Sequence, residues 1–455
     1  MKNLMINIKK LAAAAACMVF MTVPLQGMFA GAAEGREEDS DGVLYDGNFT
    51  YEMVDGSYTI TECDPSSILT EIPELRNGYA ITAIADNAFQ SCTFISELKI
   101  PDSIKTIGSG AFSGCTSLKS VTLPKRLTTL SNGVFMGCSR LQSVDIPDSV
   151  NTIESYAFYN CPELKEVKLP GELSTIQPMA FSGCGNIEKI DASKCEAFTC
   201  EGGLLYNKSK ENIYRSTKDA PADMYIENTV KSIEPGAFSA DINIENLYLP
   251  SSVTYIGDGA FSGCSVLKNI DFSEGLTTIA PIAFKYCLSL QSLSFPTTLT
   301  EIGDGAFYQC ASLNKVIMNE GLTTIGEGAF TACPKLTQVI VPRSVSDIKD
   351  HAFGYDIKDD DYAKKDNFSM SVYAGSAAEK YAKSNKIDHT ALDKSVKQYA
   401  FIVISVGVLL AVIIIAVMIM RRGKKSASPE VKKADLLEQE KEEAENCEKI
   451  LDDEN

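Results

Sequence analysis

Residues 107–124 read IGSGAFSGCTSLKSVTLP, and the same phrase returns as IESYAFYNCPELKEVKLP at 153–170 and as IGEGAFTACPKLTQVIVP at 325–342. Its phenylalanine recurs at Phe89, Phe112, Phe135, Phe158 and Phe181, then at Phe238, Phe261, Phe284, Phe307, Phe330 and Phe353, and every step within each block is 23 residues. An aliphatic residue keeps the same phase at Ile107, Leu130, Ile153 and Ile176, and again from Ile233 to Ile348. A fixed period of this kind marks a solenoid: one unit is too small to bury its apolar face alone, so stacked units share one dry interior. The length of 455 residues therefore does not convert into a count of compact domains.

Within the unit, Leu118-x-x-Val121-x-Leu123 ends in the alternation of a strand with one buried face, and Pro124 stops that strand without losing a ladder bond. Ala111-Phe112 places a small residue at a tight bend and a ring inside, where each buried ring contributes ~1.5–3 kcal/mol. Gly108 and Gly110 suit a turn that needs unusual backbone angles. The cysteines Cys92, Cys115, Cys138, Cys161, Cys184, Cys264, Cys287, Cys310 and Cys333 share the period. Side chains aligned on rungs ~4.8 Å apart are poorly placed for bridging, which points to buried free thiols acting as small hydrophobes. Cys195 and Cys200 stand outside the ladder, and both pairing and separate thiols are open for them.

With I-G-x-G ahead of it, the pattern A-F-x-x-C-x-x-L-x-x-V-x-x-P resembles the BspA-like leucine-rich repeats, a 23-residue class of bacterial and some protozoan cell surfaces. The likeness spans roughly residues 43 to 392 and rests on cysteine preceding the strand, where the general leucine-rich formula has Asn or Cys after it. It implies surface display and binding of protein or glycan ligands. The expected fold is a leucine-rich-repeat solenoid, mainly β with short turns, of about 13 rungs and roughly 60 Å, plus one transmembrane α-helix.

Both ends of the stack need closing. FTYEMVDGSYTI at 49–60 is a hairpin signal around Asp55-Gly56, and GSAAEKYAKSNKIDHTAL at 375–392 predicts a helix with Ala377, Ala378, Tyr381 and Ala382 on one face, then a short strand. Phe181 and Phe238 are separated by one period plus 34 residues. That segment holds GGLLYNKSKENIYRS, a hairpin around Asn207 to Asn212; either it projects from one repeat or a degenerate repeat carries it as a loop.

Two segments bear on the compartment. Lys2, Lys9 and Lys10 ahead of the apolar run Leu11 to Val23, with Ala30-Gly31-Ala32 after it, read as a secretory signal cleaved after Ala32. Ala14-Ala15-Ala16 before Cys17 lacks the large apolar residue of a lipidation site. Tyr399 to Met420 is 22 residues without a charge, followed at once by Arg421, Arg422, Lys424 and Lys425. That is a membrane-spanning helix with a cytoplasmic stop. The expected order is signal peptide 1–32, N-terminal cap 33–85, repeats 86–355 with a hairpin insertion near 191–228, C-terminal cap and linker 356–398, transmembrane helix 399–420 and cytoplasmic tail 421–455. The localisation that follows is the plasma membrane, single-pass, with the solenoid outside.

The net charge of −18 falls entirely between Ala33 and Gln398, because the first 32 and last 35 residues contribute +3 and −3. Such a surface repels phosphate backbones and disfavours nucleic acid as a partner. The two histidines, His351 and His389, accompany no nucleophile elbow or zinc-binding pair, and no cofactor motif is present, so no catalytic, metal or cofactor residue is expected. Asp304, Glu327 and Asp350 share one phase and predict an acidic edge rather than a calcium loop, as does Asp359-Asp360-Asp361. The sequons at Asn48, Asn207 and Asn367 matter only in a eukaryotic secretory pathway. A ligand is best sought on outward strand positions, which run Thr122, Asp145, Lys168, Asp191, Tyr248, Asp271, Ser294, Ile317 and Ile340. Tyr248, Ile317 and Ile340 are the candidates, the two isoleucines as apolar neighbours. The function expected is adhesion or host interaction; the alternatives are a receptor signalling through its tail and a passive surface structure.

Overall fold

The computed structural model describes residues 44–45 and 47–392. The expected signal peptide, linker, transmembrane helix and tail lie outside these residues. Among the described residues no helix is long and apolar enough to cross a membrane.

Each turn of the chain is held to the next by three lines of hydrogen bonds. The first is a front ladder of three-residue strands such as Ser120–Thr122, Ser143–Asp145 and Glu166–Lys168, paired in parallel so that Val121, Val144 and Val167 lie in register. The second is a back ladder of two-residue strands such as Thr129–Leu130, Thr152–Ile153 and Thr175–Ile176. The third runs through the Ala-Phe bends, where the Phe amides within each block donate to a carbonyl one turn on, as from Phe158 to Ala180 at 2.8 Å and from Phe261 to Ala283 at 2.7 Å, until Phe353 at the end donates to the Tyr381 hydroxyl. Thirteen front strands form ladders of five, three, two and three members along the stack.

The repeat phenylalanines are all buried, and their rings form two columns. One runs from Phe89 to Phe181 with centroid spacings of 4.9, 5.6, 5.7 and 5.3 Å. The other runs from Phe238 to Phe353 with spacings of 4.7, 5.0, 5.2, 5.2 and 5.0 Å. The two glycines of the bend serve different needs. Gly110 has φ of +63°, as the sequence suggests, whereas Gly108 is needed for space: a Cβ there would lie 2.4 Å from the backbone nitrogen of Asp86. Where the first need is not met by glycine, Tyr156, Met179, Ile282 and His351 take the left-handed conformation instead, and for the β-branched Ile282, at φ 48°, this is a strained position.

The front cap is the expected hairpin, Phe49–Val54 against Ser57–Cys63, turned at Asp55 and Gly56 with positive φ. Its second strand pairs in parallel with Tyr79–Ile84, which carries the back ladder onward to Thr106–Ile107. At the other end the helix Ala377–Ser384 starts from a Ser376 cap and buries Ala378, Tyr381 and Ala382, with Ala377 half-buried. The strand Asp388–Leu392 follows and extends the front ladder. A second hairpin, Tyr355–Lys358 against Asp361–Lys364, is not legible in the repeat pattern; Asp359 and Asp360 are its two-residue turn, both at positive φ. Lys365 is buried beside it and donates to the carbonyls of Cys333, Pro334 and Leu336.

The insertion is laid into the back of the solenoid and does not project. Phe198–Glu201, Leu204–Asn207 and Asn212–Ser216 form an antiparallel meander, and its last strand joins Ser232–Ile233 in parallel. It is therefore the degenerate repeat of the two arrangements expected, with Asp223–Tyr225 supplying the front strand. Here the apolar core divides into one cluster from Phe49 to Leu205 and another from Leu204 to Ile387. A fully buried Arg215 sits at the division and donates to the carbonyls of Cys184 at 2.7 Å, Ser239 at 2.9 Å and Gly236 at 3.2 Å. Asp241 stands three residues after Phe238, in the phase that cysteine holds elsewhere, and accepts from the Ser216 hydroxyl at 2.7 Å. Replacing Arg215 with Met leaves the buried Ser239 carbonyl without a donor and removes one donor each from the carbonyls of Cys184 and Gly236, which keep the amides of Ile187 and Ser239. The expected loss is about 2–5 kcal/mol, with denaturant unfolding separating into two transitions, since solenoid stability is a sum over neighbouring units. A single transition at the wild-type midpoint would contradict this account of the seam.

Candidate functional site

The outward positions of the front ladder form two parallel rows, because residues i and i+2 of a strand point to one side. In the row that contains Tyr248, the ring stacks on Tyr225 of the preceding strand with centroids 4.3 Å apart and planes 6° from parallel. Tyr225 is 56% exposed and Tyr248 is half-buried beneath it. In the second row the side-chain amide of Asn269 donates to Asn246 and that of Asn246 donates to Asp223, each at 2.6 Å. Tyr225 is the residue that the outward row as read from the sequence misses. It stands one 23-residue period before Tyr248 and shares its phase; the count fails only between Asp191 and Tyr225, and a row that steps from Asp191 straight to Tyr248 passes over it.

Ile317 and Ile340 do occupy successive outward positions, half-buried and exposed respectively. Their strands belong to different ladders: Ile317 pairs with Ser294, and Ile340 pairs with Ser371 of the cap. A serine thus closes the apolar pair on each side.

The acidic phase meets at the bend side of the stack, where an open depression of about 300 Å³ is lined by Asp304, Glu327, Ile348, Lys349 and Asp350. Asp304 turns back to accept the amide of Glu327 at 2.7 Å, a bond that ties one turn to the next. Burial, then the field of Asp304, raises the Glu327 carboxyl above its ordinary range. Among the described residues no group of three His, Cys, Asp or Glu could hold a metal ion. His351 stacks on Tyr362 at 3.9 Å and meets Tyr355 edge-on at 4.8 Å. His389 lies on the terminal strand, its Nδ1 3.1 Å from the Ile387 carbonyl. The Asn207 sequon has an internal task as well: its side-chain oxygen accepts the amides of Glu211 and Asn212 and so shapes the hairpin turn.

The thiols have a function that their spacing alone does not reveal. The ladder cysteines are free and buried, and from Cys115 onward each donates to the carbonyl of the previous turn's phenylalanine, as Cys115 does to Phe89 at 3.1 Å and Cys264 to Phe238 at 3.0 Å. They are weak donors that satisfy a second lone pair inside an apolar column. Cys195 and Cys200 are separate free thiols; Cys195 donates to the Leu173 carbonyl. Burial pushes the Cys115 thiol up to about 12, and Cys138, Cys264 and Cys310 well above the ordinary range. Alkylation of the native protein at pH 8, mapped by mass spectrometry, is expected to mark half-buried Cys200 first among the cysteines of the described residues and to leave the ladder thiols untouched until unfolding. Equal labelling of Cys200 and Cys264 in the folded protein would refute this.

Burial raises the bend-side carboxyl of Asp258 to about 6, and its Oδ1 has no partner among the described residues. The folded chain then holds this proton more tightly than the unfolded chain does. The stability it brings is complete below the ordinary value near pH 4 and is lost as pH rises through 6. Asp258→Asn is expected to stabilise the protein by about 1–2 kcal/mol at pH 7.5, a figure discounted for partial exposure, and by nothing at pH 4. Urea titrations at the two pH values check the sign, and an equal effect at both would exclude it.

A family model described as a BspA type leucine rich repeat region matches residues 82–201 and 231–358 in six copies. Among solved structures, a leucine-rich cell surface protein from Faecalibacterium prausnitzii is 24% identical, covers 78% of this chain and 97% of its own, and gives a TM-score of 0.50. The pneumococcal vaccine antigen PcpA is 17% identical with a TM-score of 0.53, over 78% of this chain and 99% of its own. A leucine-rich-repeat protein from Eubacterium ventriosum is 25% identical with a TM-score of 0.53, over 68% of this chain and 92% of its own. No curated protein matches the chain. The two likenesses below 25% identity concern the fold alone.

Proposed function

Since the chain belongs to the BspA-type leucine-rich-repeat family, we propose that it is a bacterial cell-surface binding protein that recognises protein or glycan ligands in adhesion or host interaction. Recognition is by equilibrium binding to the outer face of the solenoid, and the reading assigns no catalytic step and no cofactor. The segment 399–420 anchors the chain in the plasma membrane as a single span, with the solenoid outside and the tail at 421–455 in the cytoplasm. Only Asp393 to Gln398 separates the last cap from that span, so the ligand meets the solenoid close to the membrane surface.

The supporting observation is the front face itself. Several charged side chains on the outside are engaged with neighbours one turn away, as in Lys268 with Glu245 and Lys168 with Asp145. Tyr225 departs from this economy: it is a large aromatic residue left uncovered on a regular sheet, and exposed aromatic surface of this kind is what interfaces use.

Adhesion and signalling make different demands on the tail. Cells displaying the full chain are compared with cells displaying a chain that lacks residues 426–455, at matched surface levels, for attachment to immobilised matrix proteins and glycans. Attachment should be retained within twofold after the deletion. A fall to background would place the chain with receptors that work through the tail, and no attachment by the full chain would remove the binding reading altogether.

A further inference from the structure

The stacked tyrosines lie beside an interruption of the front ladder. The five-stranded ladder ends at Lys189–Asp191 and the three-stranded one begins at Asp223–Tyr225, with no pairing between them. The meander displaces the intervening chain: the Lys218 amide bonds to the Ile187 carbonyl, and the regular contact resumes only when Glu245 donates to Ala222. Tyr248 covers one face of the Tyr225 ring, and among the described residues no aromatic ring covers the other. Because the two rings are parallel and successive in the ladder, the free face looks along the stack over this step.

The neighbours of that face define what it would take. Asp223 is two residues before Tyr225 on the same side of the strand, and Asn246 and Asn269 continue its row. The three are oriented by their own chain of hydrogen bonds, with Asn269 donating to Asn246 and Asn246 donating to Asp223. Each amide nitrogen uses one hydrogen in this chain and keeps a second, and Asp223 keeps an oxygen. Asp271 follows Tyr248 in the aromatic row. These six positions thus offer a flat apolar face, outward donors and outward acceptors, and no cation. Lys268, the lysine adjoining them in sequence, is held by Glu245 at 2.7 Å.

We propose that Tyr225, Tyr248 and the Asp223–Asn246–Asn269 row form a binding site for a neutral polysaccharide, a sugar ring lying against the free face of Tyr225 with its hydroxyls on the amide row. This deepens the binding reading above and rests on it. A pyranose has an apolar face of C–H bonds that fits an aromatic ring, and hydroxyls at its rim that both donate and accept. Sulfated, phosphorylated or uronic-acid chains carry charge that Asp223 and Asp271 repel, with no lysine or arginine in the six to offset it. An apolar peptide would leave the oriented amides unsatisfied on burial, which is unfavourable.

The test uses the full-length protein in a detergent that has no sugar headgroup. Binding is measured to immobilised starch, mannan and galactan as neutral glycans, to hyaluronan and pectin as acidic ones, and to fibronectin, fibrinogen and collagen. Saturable binding to at least one neutral glycan is expected. Tyr225→Ala and Tyr248→Ala should each weaken it at least tenfold, Tyr225→Phe should stay within twofold, and Asn246→Ala should weaken it severalfold, all with an unchanged protease-resistant core. Binding to matrix protein without any neutral glycan would overturn this site and leave the binding reading standing. No binding to any of the eight would overturn both. Acidic glycans bound as tightly as neutral ones, or alanine variants that bind like the parent, would also overturn the site.

Discussion

One constraint governs this chain: a phenylalanine ring that returns every 23 residues must find the ring of the neighbouring turn within about 5 Å, or neither is dry. The rise between turns is the spacing of parallel strands, ~4.8 Å, and ring stacking at 4.7–5.7 Å accommodates that repeat. The backbone then has little freedom. Within each column a Phe amide reaches a carbonyl one turn on, and the carbonyl of that Phe receives a thiol from the next turn, as at Phe112, Phe135 and Phe261. Cysteine suits this place because it is small enough for the column and still has a hydrogen to give, which alanine lacks.

The seam at the insertion is what this constraint looks like when it is broken. The meander removes the 23-residue register between Phe181 and Phe238, so the two ring columns cannot join. The space between them is filled by a guanidinium with three backbone acceptors, and a carboxylate takes over the cysteine phase at Asp241. A buried charge is tolerated only with such partners. Burial still lowers the Arg215 pKa, and its Nε lacks a partner among the described residues, so the junction is less well satisfied than the columns on either side. The solenoid is continuous in its backbone and divided in its core.

The legible and illegible parts of the sequence divide along the same line. Where the period holds, it identifies the buried ring, the bend, the strand and the outward positions, because each is fixed by side-chain phase alone. The caps are legible for a different reason, namely local pattern: Asp55-Gly56 demands a hairpin, and Ala377, Ala378, Tyr381 and Ala382 share one helical face. What escapes is whatever depends on three-dimensional company. The thiol-to-carbonyl bonds join residues 26 apart, three positions out of phase with the repeat. Gly108 and Gly110 look alike in sequence, yet one supplies space and the other a backbone angle. Tyr225 is a different case: counting back 23 residues from Tyr248 reaches it, and only the 34-residue step after Asp191 hides it from a count that runs forward.

That last case bears on how a repeat protein acquires a binding site at all. Inside each turn nearly every position is committed to the stack, and a regular outer face tends to pair its own side chains from turn to turn, as Lys268 and Glu245 do. A perfectly periodic solenoid would therefore present the same self-satisfied surface along its whole length, with little to distinguish one rung from the next. Selectivity requires an aperiodic element, and the insertion is the largest within the repeats. By ending one front ladder and starting another it exposes a ring face at Tyr225 that a continuous ladder would have covered with the next side chain. The energetic weakness of the seam and the availability of that surface therefore have one origin, the loss of register between Phe181 and Phe238.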